Sequence, residues 1–216
     1  EPQKKESNAI RVSEYLANWY RGLTDEEMLF PWAKSGSRWK TVLGEVLLER
    51  ASRENIRRLW PVLRDLPDLK PGQLVGEKDL EIIFDIFSAG EFKKRSERLQ
   101  RLVEEMNQNP KALWASTIDR SRLPSLNPLL IKFLELAAPV TKEDSSKYAE
   151  EPVIVAKGIL RVTGKFLGIN TEVRNKQSHG RISIGRLLGM NENSREAHLA
   201  LFELAQTLAA PNAPLA

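Results

Sequence analysis

Apolar residues recur at the three-and-four spacing of an α-helix in nearly every patterned stretch of this chain, and nowhere do they alternate cleanly for more than a few residues. A strand with one buried face needs alternation, so the period predicts an all-α fold. Ile10, Val12, Tyr15, Leu16 and Trp19 make one amphipathic face, which Gly22 should end; Trp39, Val42, Leu43, Val46 and Leu47 make a second between about Ser37 and Leu48. Ile56, Leu59, Trp60 and Leu63 mark a third, closed by Leu66-Pro67-Asp68. Leu99, Leu102, Val103 and Met106 form a later stripe ringed by Lys93, Lys94, Arg95, Arg98 and Arg101. Asn127 and Pro128 read as cap and first turn of an apolar helix over 129–137. Further helices are expected at 153–167, 182–188 and 194–208, with 139–152 and 170–180 as polar loops and 209–216 as a fraying tail.

Composition removes several classes of function. With 41% hydrophobic and 29% charged residues the chain is too apolar for disorder and too polar for a bilayer, and no apolar run approaches membrane-spanning length. The absence of cysteine excludes disulfides, thiolate zinc sites, cysteine-held iron–sulfur clusters and cysteine nucleophiles. The two histidines, His179 and His198, are not at ligand spacing, so no metal or other cofactor is expected. A formal charge of +4 is compatible with a polyanionic partner without requiring one. The sequence begins Glu-Pro-Gln-Lys-Lys-Glu, with neither Met nor the apolar core of a signal peptide, which reads as a trimmed intracellular chain with no membrane partner.

Read in order, five segments resemble the helix-hairpin-helix DNA glycosylase superfamily, in the branch of endonuclease III and the adenine and thymine mismatch glycosylases. Phe30-Pro31-Trp32 stands where that branch has an aliphatic-Pro-Trp-Arg turn, and the helix end around Gly44-Glu45-Val46-Leu47-Leu48 stands where it has Glu-Val-Leu-Leu. Gly90, Arg95, Ser96 and Leu99 match its Gly-x4-Arg-Ala-x2-Leu, Leu123-Pro124 opens the segment of its Leu-Pro-Gly-Val-Gly hairpin, and Ile159-Leu160-Arg161-Val162 matches its Val-x-Arg-Val. The resemblance implies two lobes, 37–138 and 1–36 with 139–216, and a cleft between them that accepts a base flipped out of duplex DNA. Trp32, Lys132 and Lys157 would border that cleft, and double-stranded DNA would be the partner.

The departures bear on chemistry. The hairpin glycines that in the family bring backbone amides to a phosphate are replaced by Ser125 and Asn127, and Pro128 deletes a further amide, so phosphate anchoring there should be weakened or absent. Leu129 occupies the slot of the sugar-attacking lysine, which excludes a Schiff-base lyase at that position. Ala156 occupies the slot of the aspartate that stabilises the developing positive charge, and neighbouring Lys157 has the wrong sign for that role. Glu45 survives as candidate proton donor to a leaving base; the alternative reading is a helix-end carboxylate paired with Arg50 or Arg53. The family's four-cysteine cluster is absent, and the resemblance implies that a helix preceding it is missing from the second lobe as well.

Two basic clusters are candidates for phosphate contact. Arg95 and its neighbours on 92–106 are interleaved with Glu91, Glu97, Glu104 and Glu105, so charge pairing explains them equally well. Arg174, Lys176, His179, Arg181 and Arg186 have few acids nearby and are the better candidates. Trp19, Trp39, Trp60 and Trp114 read as core, Trp32 as the exception, and His198 as a surface or half-buried residue. Three functions follow: a DNA binder with weak, altered or absent base excision; a protein-interaction scaffold on the same fold, suggested by the altered hairpin and the acidic stretch 142–151; and an active monofunctional glycosylase using Glu45 with another carboxylate such as Asp144.

Overall fold

The computed structural model describes residues 2–87, 90–141, 154–171, 176–189 and 191–209. All regular structure among them is helical: α1 (Pro2–Gly22), α2 (Arg38–Leu47), α3 (Arg53–Asp65), α4 (Glu77–Phe87), α5 (Lys93–Gln108), α6 (Pro128–Ala137), α7 (Lys157–Leu167), α8 (Lys176–Leu188) and α9 (Ser194–Ala209), with 3-10 turns at Pro31–Lys34, Gly90–Phe92 and Ala112–Trp114. The helix starts follow local chemistry. Ser37, Ser52 and Asn127 cap α2, α3 and α6 by accepting the amides of Lys40, Asn55 and Leu130, and Pro128 fills the first position of α6, where no intrahelical donor is needed. Gly168 ends α7 in the left-handed conformation at φ +65°, its amide returning to the Gly164 carbonyl.

The chain divides into two compact units, a central one over 30–140 and a terminal one joining 1–29 to 141–216. Residues 30–36, expected with the termini, belong to the central unit because Trp32 is buried there. Within the central unit α2 packs against α3, α5, α6 and the Pro31–Lys34 turn. Val42, Leu43, Leu47, Leu99, Leu102 and Leu134 are buried around it, each removal from water contributing about 1.5–3 kcal/mol. Arg38 is buried in the same core, which the helical period did not announce. Its guanidinium donates to the carbonyls of Ala138 (2.8 Å), Leu113 (2.8 Å) and Ala115 (2.7 Å), tying the end of α6 and the Ala112–Trp114 turn to the start of α2.

In the terminal unit α1 lies along α9 and α8, and α7 packs on both α8 and α9. Glycines set these approaches. A Cβ on Gly180 of α8 would lie 2.6 Å from Val155 Cγ1, and one on Gly158 of α7 would lie 3.2 Å from the Ala205 Cβ of α9. His198 is buried on α9 rather than at the surface, and its Nε2 lies 2.9 Å from the Ile154 carbonyl. Burial depresses its pKa to about 4, partly offset by that hydrogen bond, so the imidazole is neutral at pH 7.

Local structure differs from expectation at two more places. The expected loop 170–180 is helical from Lys176 onward. The turn 123–128 is followed directly by α6, but the residues before it, 115–122, are irregular, so no helix abuts it on that side. Ser125 and Asn127 do not adopt positive φ there; Asn127 sits at φ −76° as an ordinary extended cap.

Candidate functional site

Glu45 and Trp32 form the most unusual polar arrangement in the central unit. Pro31 opens a 3-10 turn that carries the Trp32 indole onto α2 at Gly44. The contact requires glycine: a Cβ there would lie 2.2–2.7 Å from Trp32 Cδ2, Cγ and Cε3, well inside van der Waals distance. Phe30 meets the ring edge-on at 5.6 Å and Trp60 at 5.9 Å, while the Trp32 carbonyl accepts from the Ser35 amide and the Thr41 hydroxyl. Trp32, expected at a cleft margin, is thus a core residue, 1% exposed.

The fixed indole positions the next residue of α2. Trp32 Nε1–H donates to Glu45 Oε1 at 2.7 Å, and Glu45 is half-buried. Its carboxyl pKa is pushed up to about 7: burial raises it, the Trp32 hydrogen bond lowers it, Glu49 raises it and Arg98 lowers it. Arg98 engages Glu49 at 2.8 Å, so the nearest cation is held by another acid. Pairing of Glu45 with Arg50 or Arg53 is not found; the acid has an aromatic partner instead. A carboxyl with this pKa is about half protonated near neutrality and can donate or accept a proton.

An acid kept near pKa 7 costs stability when ionised. The folded pKa lies above the ordinary 4.5, so the carboxyl favours folding fully below about pH 4.5 and loses that contribution as pH rises through 7. Glu45→Gln, which keeps shape and acceptor but cannot ionise, is expected to melt with the parent at pH 4.5 and above it at pH 8, by up to about 3 kcal/mol. A pH-independent difference between the two melting curves would show that the carboxyl is not perturbed.

The other expected site residues are placed as follows. Leu129 is exposed on the first turn of α6 and offers no amine; Lys132, one turn on, is half-buried. Ala156 is the N-cap of α7 and provides no side-chain hydrogen bond, and Lys157 is exposed beside it. Glu45, Leu129 and Lys132 belong to the central unit, Ala156 and Lys157 to the terminal one.

Of the residues expected to meet DNA, Ser125, Arg95 and Asn127 are engaged within the protein. The Ser125 amide donates to Glu105 Oε2 at 3.0 Å and its hydroxyl to Oε1 at 2.5 Å, so a carboxylate of α5 already occupies these donors. Arg95 donates to the Leu47 carbonyl at the end of α2 (3.1 Å) and stacks over the Phe92 ring, which favours that helix end. Asn127 is spent as a cap. Arg181 is half-buried on α8, a helix that Lys176 opens. Arg174, Asp144 and the stretch 142–151 lie outside the described residues.

Isolated Gly44 inside an apolar helix was the sequence signal for the Trp32 contact; nothing comparable marked Glu105 or Arg38. Among the described residues no helix is long and apolar enough to cross a membrane, and no group of His, Asp and Glu could hold a metal ion. Compared with known proteins, the chain matches no family model, no curated protein and no solved structure.

Proposed function

We propose that this protein acts on duplex DNA as a divergent relative of the helix-hairpin-helix glycosylases, with Glu45 as its proton-donating group and base excision that is weak or altered. The observation that carries the reading is the half-buried Glu45 carboxyl, held by Trp32 and raised to about pKa 7, because protonating a leaving base near neutrality needs such an acid. The ordered resemblance of the Phe30-Pro31-Trp32, Gly44–Leu48 and Ile159–Val162 segments supports it. Leu129 supplies no amine for a covalent sugar intermediate and Ala156 no carboxylate for the developing charge, so both strand cleavage through that slot and fast excision are excluded from the proposal.

The test is a panel of mismatched, damaged and abasic duplexes assayed for retention and for base release. Retention of one class is expected, with slow release that Glu45→Gln abolishes and that declines as pH rises above 7. Release unaffected by Glu45→Gln would remove Glu45 from the mechanism. Failure to retain any duplex at 50 mM salt would remove DNA, and would leave the interaction-scaffold reading that the altered turn at 123–128 favours.

A further inference from the structure

Two arginines of α5 hold the end of α2, and they hold it differently. Arg95 donates to the Leu47 carbonyl and lies over the Phe92 ring, so it is committed to the fold. Arg98, three residues on, is paired with Glu49 through Nη1 at 2.8 Å. No other hydrogen bond to this guanidinium is found among the described residues. Glu49 is 46% exposed and Arg98 27%, and a one-nitrogen ion pair this open to water is weakly held. A phosphate offers three oxygens to the planar fork and can make the bidentate contact that Glu49 does not. Lys94, exposed one turn earlier on the same face of α5, sets a second cation beside it.

A change at Glu49 is felt at Glu45. The two acids stand four residues apart, one in the last turn of α2 and the other just past its end. Burial does most to keep the Glu45 carboxyl protonated, while Glu49 favours the proton and Arg98 opposes it. The other neighbours of α2 are apolar or already engaged. Trp32 donates its hydrogen bond, and the faces that α3, α6 and the Ala112–Trp114 turn bury are apolar. Lys132 is half-buried on α6, and Arg95 is held by the Leu47 carbonyl. While Arg98 holds Glu49, their opposite charges partly cancel at Glu45. Drawing Arg98 away removes the one charge and bares the other, and both changes favour the protonated acid.

We infer that Arg98 is a phosphate-responsive switch for this acid: a backbone phosphate of the bound duplex takes Arg98 from Glu49, and Glu45 then takes up a proton from the solvent. The donor is thereby loaded by the arrival of its own substrate. The inference rests on the reading of Glu45 as proton donor to a DNA base and adds what controls it. Arg98 and Glu49 act through Glu45 and do not themselves deliver the proton.

The experiment follows the Glu45 carboxyl by NMR in the full chain carrying carbon-13 at the glutamate Cδ, its signal assigned as the one missing from Glu45→Gln. Parent, Arg98→Gln and Glu49→Gln are titrated with pH, alone and with a short random-sequence duplex at a concentration that saturates each. Anisotropy of the labelled duplex verifies occupancy, and circular dichroism verifies that each variant folds. In the free parent the midpoint is expected at about pH 7. Arg98→Gln should move it up and Glu49→Gln down, each by about 0.5–1 in pH. No movement, or movement in the same direction in both, means that the pair acts only through packing and overturns the inference. Duplex should raise the parent midpoint by a similar amount and leave that of Arg98→Gln where it is. A bound duplex that leaves the parent midpoint unchanged, or raises it equally in Arg98→Gln, overturns the switch and leaves the DNA reading standing. A parent that binds no duplex overturns both.

Discussion

Gly44→Ala is expected to destabilise the protein by about 3 kcal/mol or more, the strongest effect for the addition of a single methyl group. Inserting a methyl group into a packed core ordinarily costs about 1–3 kcal/mol, because neighbours move aside. Here they cannot move cheaply. The atoms in the way are Cγ, Cδ2 and Cε3, at the root and centre of an indole that is wedged against Phe30 and Trp60. Displacing the ring also breaks the hydrogen bond to Glu45, and because that bond holds the carboxyl pKa down against burial, its loss is expected to raise the pKa further while the carboxyl stays buried. Thermal melts read the first effect and tryptophan fluorescence the second. Adding Trp32→Leu to Gly44→Ala should recover part of the loss, because the clash is then gone, and the two changes should be strongly non-additive. A Gly44→Ala protein melting within a degree or two of the parent would refute the contact.

Arg38→Met is expected to cost about 3–5 kcal/mol, lowering the melting temperature by roughly 10 °C in a chain of this size. Methionine fills most of the volume but leaves the carbonyls of Leu113, Ala115 and Ala138 without their donor, and an unsatisfied buried polar group costs about 1–3 kcal/mol. The relief of no longer burying a charge offsets part of this. Arg38→Lys should rescue little, because a single ammonium on a flexible stem cannot reproduce the planar fork that reaches three carbonyls from two elements. Full rescue by lysine would mean that charge, and not geometry, is what the core requires there.

The helical architecture was legible because burying one face of a helix forces a periodic apolar pattern, and that pattern survives in α2, α3, α5, α6 and α9 with their cores at Val42, Leu63, Leu99, Phe133 and Leu201. Caps at Ser37, Ser52 and Asn127 were equally local. Glu45 was legible as a candidate from its place in an ordered set of short segments. Its partner was not, because the pairing of Trp32 with Glu45 depends on a turn laid across a helix, and the competing expectation of an arginine partner used the same sequence neighbourhood.

The same division separates the basic residues. The sequence offers Arg95 as a phosphate contact, and tertiary packing turns it onto the Leu47 carbonyl instead. Ser125 and Glu105 are twenty residues apart and meet only because α5 runs past the turn that precedes α6. Period and capping are short-range consequences of backbone geometry, so the amino-acid order alone reveals them. Which polar group finds which partner depends on where helices cross, and crossing is settled by the packing of whole faces, to which distant residues such as Gly44, Gly158 and Gly180 contribute by what they lack.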